Sequence, residues 1–131
     1  MQKPKLLIIE DDRPIINLYK EVLPMAGLEI EILDMGRDAI KKLGEIRQGK
    51  AEKPDLILLD LILPDINGIE VLKEAKKYPE TKNIKVYVLT NYYRPESNEE
   101  LTKEGADKIL IKFKYSLNEL VEIFKEGAKQ Q

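Results

Sequence analysis

Four places in this chain carry side chains that could do chemistry together: Glu10-Asp11-Asp12, Asp60, Thr90 and Lys112. Each follows or closes a short apolar run, so a fold that aligned those runs would gather the set at one rim. Three or four carboxylates, one hydroxyl and one amine suit phosphoryl chemistry. Crowded carboxylates repel, and one of them would be driven to take a proton. A hard cation such as Mg²⁺ removes that conflict, because it prefers oxygen ligands and binds through one or two carboxylates while keeping several waters. Cation and lysine can then stabilise the equatorial oxygens of a phosphoryl group, with the hydroxyl adding a directed hydrogen bond. A carboxylate can itself be the nucleophile, giving an aspartyl phosphate.

Absences narrow the chemistry further. The chain has no Cys and no His, which excludes disulfides, thiolate nucleophiles, His-based triads and His-ligated metals. The 131 residues carry 22 basic and 24 acidic side chains, a net charge of −2. No global basic field marks a nucleic-acid or membrane partner. Met1 to Pro4 is polar, and the apolar run Leu6 to Ile9 is too short for a signal-peptide core or a membrane span. The expectation is a cytoplasmic protein in which residues 1–131 form one domain, with no output domain attached.

Five apolar runs alternate with helical patterns: Leu6 to Ile9, Ile30 to Leu33, Leu56 to Leu59, Val86 to Leu89 and Ile109 to Ile111. Four lack polar alternation, as strands buried on both faces of a parallel sheet do. The second carries Glu31, which suits an edge. Between them, Asp12 before Arg13-Pro14 caps a first helix that ends around Pro24 and Gly27. Ile15, Leu18 and Val22 line one face of it, with Ile16, Tyr19 and Leu23 alongside. Ala39 to Ile46 forms a second helix closed by Gly49, and Ile69, Leu72 and Ala75 mark a third. Ser97 with Glu100 and Ser116 with Glu119 read as capping boxes for the fourth and fifth. The fourth has only Leu101 to bury and should be weakly held. The long connection Arg47 to Pro54 reads as a flexible surface loop. Strict βα alternation predicts an α/β domain with a parallel sheet and helices on both faces. In such sheets ligands bind beyond the carboxyl ends of the strands, where Glu10, Asp11, Asp60, Thr90 and Lys112 all fall.

Taken in order, these segments resemble a response-regulator receiver domain. Leu6 to Asp12 looks like that family's opening, and Leu58-Leu59-Asp60 through Asn67-Gly68 looks like its phosphoacceptor segment. Val88-Leu89-Thr90 and Gly105-Ala106-Asp107 followed by Lys112 match its later landmarks. The resemblance runs from Lys5 to about Glu126. It implies a flavodoxin-like, doubly wound (βα)5 sandwich with strand order 2-1-3-4-5. It also implies that Asp60 takes a phosphoryl group from the phosphohistidine of a sensor histidine kinase or phosphotransfer protein. Asp11 would ligate Mg²⁺ directly, Glu10 would assist through water, and Asp60 and the backbone carbonyl of Ile62 would complete the protein's share. Thr90 and Lys112 would contact phosphoryl oxygens. The implied protein is a signalling module rather than an enzyme. Its output would be a protein target on the face of the fourth helix, fifth strand and fifth helix, and it would be a monomer or weak homodimer.

Three residues depart from the family pattern. Phe113 stands where Pro usually follows the Lys. A cis bond without Pro costs roughly 2.5–4 kcal/mol, so a trans bond with a rearranged loop or a strained cis bond is expected. Ile109 stands where a switching aromatic is usual, which moves that role to Tyr92 or Tyr93 or removes it. Asn91 stands where a small residue is usual, and its bulk could narrow access to Asp60 or its amide could contact the phosphoryl group. These departures keep a second reading open, a pseudo-receiver that binds partners without phosphate. A third, a Mg²⁺-dependent aspartyl-phosphate phosphohydrolase, usually needs a cap domain for which this chain has no spare length.

Overall fold

A computed structural model of the chain describes residues 2–91 and 94–129. The elements run β1 (Lys5–Ile9), α1 (Arg13–Met25), β2 (Glu29–Leu33), α2 (Gly36–Arg47), β3 (Leu56–Asp60), α3 (Gly68–Lys77), β4 (Lys85–Thr90), α4 (Pro95–Lys103), β5 (Lys108–Ile111) and α5 (Leu117–Gly127). All five strands are parallel, in the order β2-β1-β3-β4-β5. This is the flavodoxin-like topology that the resemblance implies.

Period-two alternation splits each buried strand between two cores. Leu6, Ile8, Leu56, Leu58 and Leu89 face Tyr19 and Leu23 of α1 and Leu120 and Phe124 of α5. Leu7, Ile9, Ile57, Leu59 and Val88 face Ala39 and Leu43 of α2, Leu72 and Ala75 of α3, and Leu101 of α4. Helices therefore cover both faces, and β2 lies at an edge with Glu29 and Glu31 exposed. In α1 the inward stripe is Ile16, Tyr19 and Leu23, while Leu18 stays exposed. In α4 Leu101 is the buried residue, as expected.

Local capping largely follows the sequence. The Asp12 carboxylate accepts from the Ile15 N–H at 3.3 Å, and Ser116 and Glu119 form a reciprocal capping box on α5. The box expected at Ser97 and Glu100 does not form. Helix α4 begins three residues earlier than that cap would set, at Pro95, with Arg94 at the cap position and no side-chain cap bond. Proline at the first helical position is already set for helical φ and lacks the N–H that would go unpaired, so it starts the helix before Ser97 can.

The connection after α2 is a surface segment anchored near its two ends. The Lys50 N–H donates to the Glu45 carbonyl at 2.8 Å, and the Asp55 N–H to the Lys5 carbonyl at 2.8 Å. The Lys5 N–H returns to Oδ2 of Asp55 at 2.8 Å, and the Lys5 ammonium pairs with Glu52. The segment is sewn to the first residue of β1, where its backbone groups find partners.

One close approach fixes the start of α3 against the end of β3. A Cβ on Gly68 would lie 2.5 Å from the Asp60 carbonyl oxygen and 2.7 Å from Cα of Leu61. Both are backbone atoms that cannot swing away. Gly68→Ala is expected to lower the unfolding free energy by about 1–3 kcal/mol through this overlap. Urea denaturation checks it, and an unchanged midpoint would show that the two segments can separate freely.

Candidate functional site

Strand register brings the chemical residues together. Ile9 pairs with Leu59, so Glu10 and Asp60 lie one step further along neighbouring strands. Asp60 pairs with Leu89, and Thr90 pairs with Ile111. Thr90 thus ends β4 beside Asp60, and Lys112 begins the turn after β5. Side chains from adjacent strand ends about 5 Å apart can meet.

They do meet. The Lys112 ammonium donates to Oε1 of Glu10 at 2.7 Å and to Oδ2 of Asp60 at 3.4 Å. The second Asp60 oxygen, Oδ1, accepts from the Ile62 N–H at 3.1 Å. The second Glu10 oxygen accepts from the Asp12 N–H at 3.3 Å. Glu10 is 1% exposed, and Asp60 and Thr90 are each 9% exposed. Asp11 is exposed, yet one carboxylate oxygen from each of Glu10, Asp11 and Asp60 lies within 4.8 Å of the others. Asp12 is the cap of α1 and stands outside that group. Ile62 reaches the site through its backbone, and the residue is 64% exposed.

The departures around Lys112 resolve simply. Among the described residues no peptide bond is cis. Lys112–Lys114 forms one 3-10 turn, and Phe113 points to solvent at 75% exposure. Lys112 nevertheless reaches both carboxylates, so the rearranged turn preserves its aim. Ile109 packs against the α2–α3 core. Asn91 is exposed at the end of β4, and Tyr92 and Tyr93 lie outside the described residues.

Burial raises the Glu10 carboxyl to about 7, Asp60 pushes it the same way, and Lys112 pulls it part of the way back. Burial works to lower the Lys112 ammonium, but its bonds to Glu10 and Asp60 outweigh it and the net shift is upward. The Glu10 shift has a consequence for stability. The folded state holds a proton on Glu10 that the unfolded state has released, so this contribution is full below the unfolded value of 4.5 and lost as pH rises through about 7. With a chelator present, the thermal midpoint is expected to be lower at about pH 8 than at about pH 6, and Glu10→Gln should reduce the difference. An equal difference in Glu10→Gln would assign it to other groups.

The donor set fits a hard cation. Its members are carboxylate oxygens gathered in a partly buried pocket with no nitrogen or sulfur ligand, as Mg²⁺ prefers.

Asp65 is a residue that local patterns treat only as part of a turn. Its Oδ1 accepts from the Gly36 N–H at 2.8 Å and its own loop's Ile66 N–H at 3.0 Å, and its Oδ2 accepts from the Arg37 N–H at 2.9 Å. The Arg37 N–H foremost, with the other amides, holds its carboxyl below the usual range. The only sequence signal is indirect: α2 has Met35 at its cap position, a residue unable to cap its own helix.

Comparison with known proteins agrees with this geometry. The family model described as the response regulator receiver domain matches residues 6–125. Regulatory protein LuxO of Vibrio cholerae is 33% identical over 105 residues, which are 80% of this chain and 21% of LuxO. The chain thus spans about a fifth of that relative's length. Among solved structures, the phosphorylated cyanobacterial phytochrome response regulator RcpA is similar with a TM-score of 0.80 and 31% identity, covering 96% of this chain and 91% of that one. The Mn²⁺-bound form of response regulator Rcp1 gives a TM-score of 0.78 at 31% identity, covering 94% and 90%. A receiver-type sheet, an acidic group at its carboxyl rim and a family match over nearly all of its length place this chain in the response-regulator receiver domain family of two-component signalling.

Proposed function

We propose that the chain is a phosphoacceptor receiver whose nucleophile is Asp60. The observation that carries this reading is the Asp60 carboxylate, held at the end of β3 by the Ile62 N–H and the Lys112 ammonium beside Glu10 and Asp11. A carboxylate oxygen of Asp60 forms the new O–P bond as the N–P bond of a phosphohistidine donor breaks. The donor is a sensor histidine kinase or a phosphotransfer protein, since this chain has no His of its own. Lys112 exchanges part of its present pairing for a phosphoryl oxygen, and the Thr90 hydroxyl contacts another. Asp11, Asp60 and the Ile62 carbonyl would hold Mg²⁺, with Glu10 assisting through water, and the ion would supply positive charge beside the transferred group. The phosphorylated form of RcpA and the Mn²⁺-bound form of Rcp1 support both parts by likeness.

The added charge biases the elements next to Thr90 and Lys112. Helix α4, held by the single buried residue Leu101, is the element with least packing to overcome. The face of α4, β5 and α5 is therefore where a downstream protein would sense the change.

The test is intact-mass spectrometry after incubation with acetyl phosphate, with and without Mg²⁺. One Mg²⁺-dependent phosphoryl adduct is expected. No adduct, together with no binding of beryllofluoride, would replace this reading with a module that works without phosphate.

A further inference from the structure

The β3–α3 loop is closed at its base and hooked at its tip. At the base, Ile62 and Asn67 form an antiparallel bridge, and the Gly68 N–H donates to the Leu61 carbonyl at 2.8 Å. At the tip, Asp65 spans to α2, a helix 29 residues away in sequence, and takes its first two N–H groups. Those groups would otherwise have no partner within their own helix, and no side chain at Met35 supplies one. The fit is close as well as polar, because a Cβ on Gly36 would overlap Cγ1 of Ile66. At the base, Ile62 is also the residue whose N–H holds Oδ1 of Asp60.

We propose that Asp65 is a positioning residue for the phosphoacceptor site: it fastens the β3–α3 loop to α2, and through Ile62 that loop aims the Asp60 carboxylate for divalent cation. The proposal rests on the reading of Asp60 as part of a cation-dependent site. Asp65 touches neither the acidic group nor Lys112 among the bonds described. It acts at one remove, as outer groups that orient metal ligands do.

A helix cap and a positioning residue predict different outcomes when capping is restored elsewhere. Met35 already has the extended backbone of a cap residue, with φ −127° and ψ 137°. Met35→Ser can therefore cap α2 locally without tying down the loop. Mg²⁺ affinity of the full chain would be measured by calorimetry, beside thermal midpoints and amide exchange at Gly36 and Arg37. Asp65→Ala is expected to weaken Mg²⁺ binding about 10-fold, lower the midpoint and speed exchange at both amides. Adding Met35→Ser should return the midpoint toward wild type and leave Mg²⁺ binding weak. Asp65→Asn, which keeps an acceptor for Gly36 and Ile66, should fold and bind with intermediate affinity. Wild-type Mg²⁺ affinity in Asp65→Ala, or recovery of affinity together with stability in the double variant, would reduce Asp65 to a helix cap. Asp11→Asn separates the underlying reading. If it binds Mg²⁺ as wild type does, the acidic group is not the cation site, and the role of Asp65 falls with it.

Discussion

Asp60→Asn is expected to abolish the Mg²⁺-dependent phosphoryl adduct while leaving the fold in place. The amide oxygen is a poor nucleophile, so the O–P bond cannot form at this position. The amide can still accept the Ile62 N–H through the oxygen that stands for Oδ1, so the loop keeps its inner anchor. Lys112 keeps its shorter contact to Glu10 at 2.7 Å. The variant also removes one of three carboxylates whose oxygens lie within 4.8 Å of each other. Relief of that repulsion should leave the chelator-treated variant slightly more stable than wild type. Intact mass and thermal unfolding read the two effects separately. An adduct forming at the wild-type rate would move the nucleophile elsewhere. A lower unfolding midpoint in chelator would mean that the Lys112 contact to Asp60 outweighs the repulsion.

What the sequence made legible, and what it hid, follows from how local each cause is. Four strands were legible because uninterrupted apolar runs have few other soluble uses, the fifth because its run alternates around Glu31 as an edge strand does, and all five appear at the expected places. Their spatial order was not contained in those runs and came through the resemblance. Glu10, Asp11, Asp60, Thr90 and Lys112 were legible because each sits at a strand end, and parallel pairing turns shared ends into shared space. The box at Ser97 failed because a stronger local signal, Pro95, lay just upstream. The anchoring of the connection after α2 was hidden because Lys5 and Asp55 are 50 residues apart. Asp65 was hidden for the same reason: the helix it caps is remote in sequence, while its neighbours explain it as an ordinary turn residue. Lys112 shows the opposite case. Phe113 stands in place of the usual Pro, yet one tight turn and an exposed ring satisfy the backbone and leave the lysine inside.

Lys112→Met is expected to destabilise the protein in chelator and to strengthen Mg²⁺ binding at the same time. Lys112 is the cation that pairs with both Glu10 and Asp60 in a site where its side chain is 11% exposed. Removing one partner of a buried ion pair leaves uncompensated charge and typically costs roughly 3–5 kcal/mol. Glu10 already titrates near 7 and can relieve part of that charge by holding its proton, so the loss should fall below this range, about 2 kcal/mol, in mildly alkaline buffer. The same charge excess favours a divalent cation, which no longer competes with the ammonium for Glu10 and Asp60. Saturating Mg²⁺ should therefore recover most of the lost stability through preferential binding to the folded state. Methionine keeps the apolar stem, so lost packing does not mimic the electrostatic effect. Urea denaturation with and without Mg²⁺, beside calorimetric Mg²⁺ affinity, checks the pair of effects. Weaker Mg²⁺ binding in Lys112→Met would show that the lysine organises the carboxylates rather than competing for them. Phosphoryl transfer from acetyl phosphate should also slow, since the same ammonium is the protein's own cation for the transferred group.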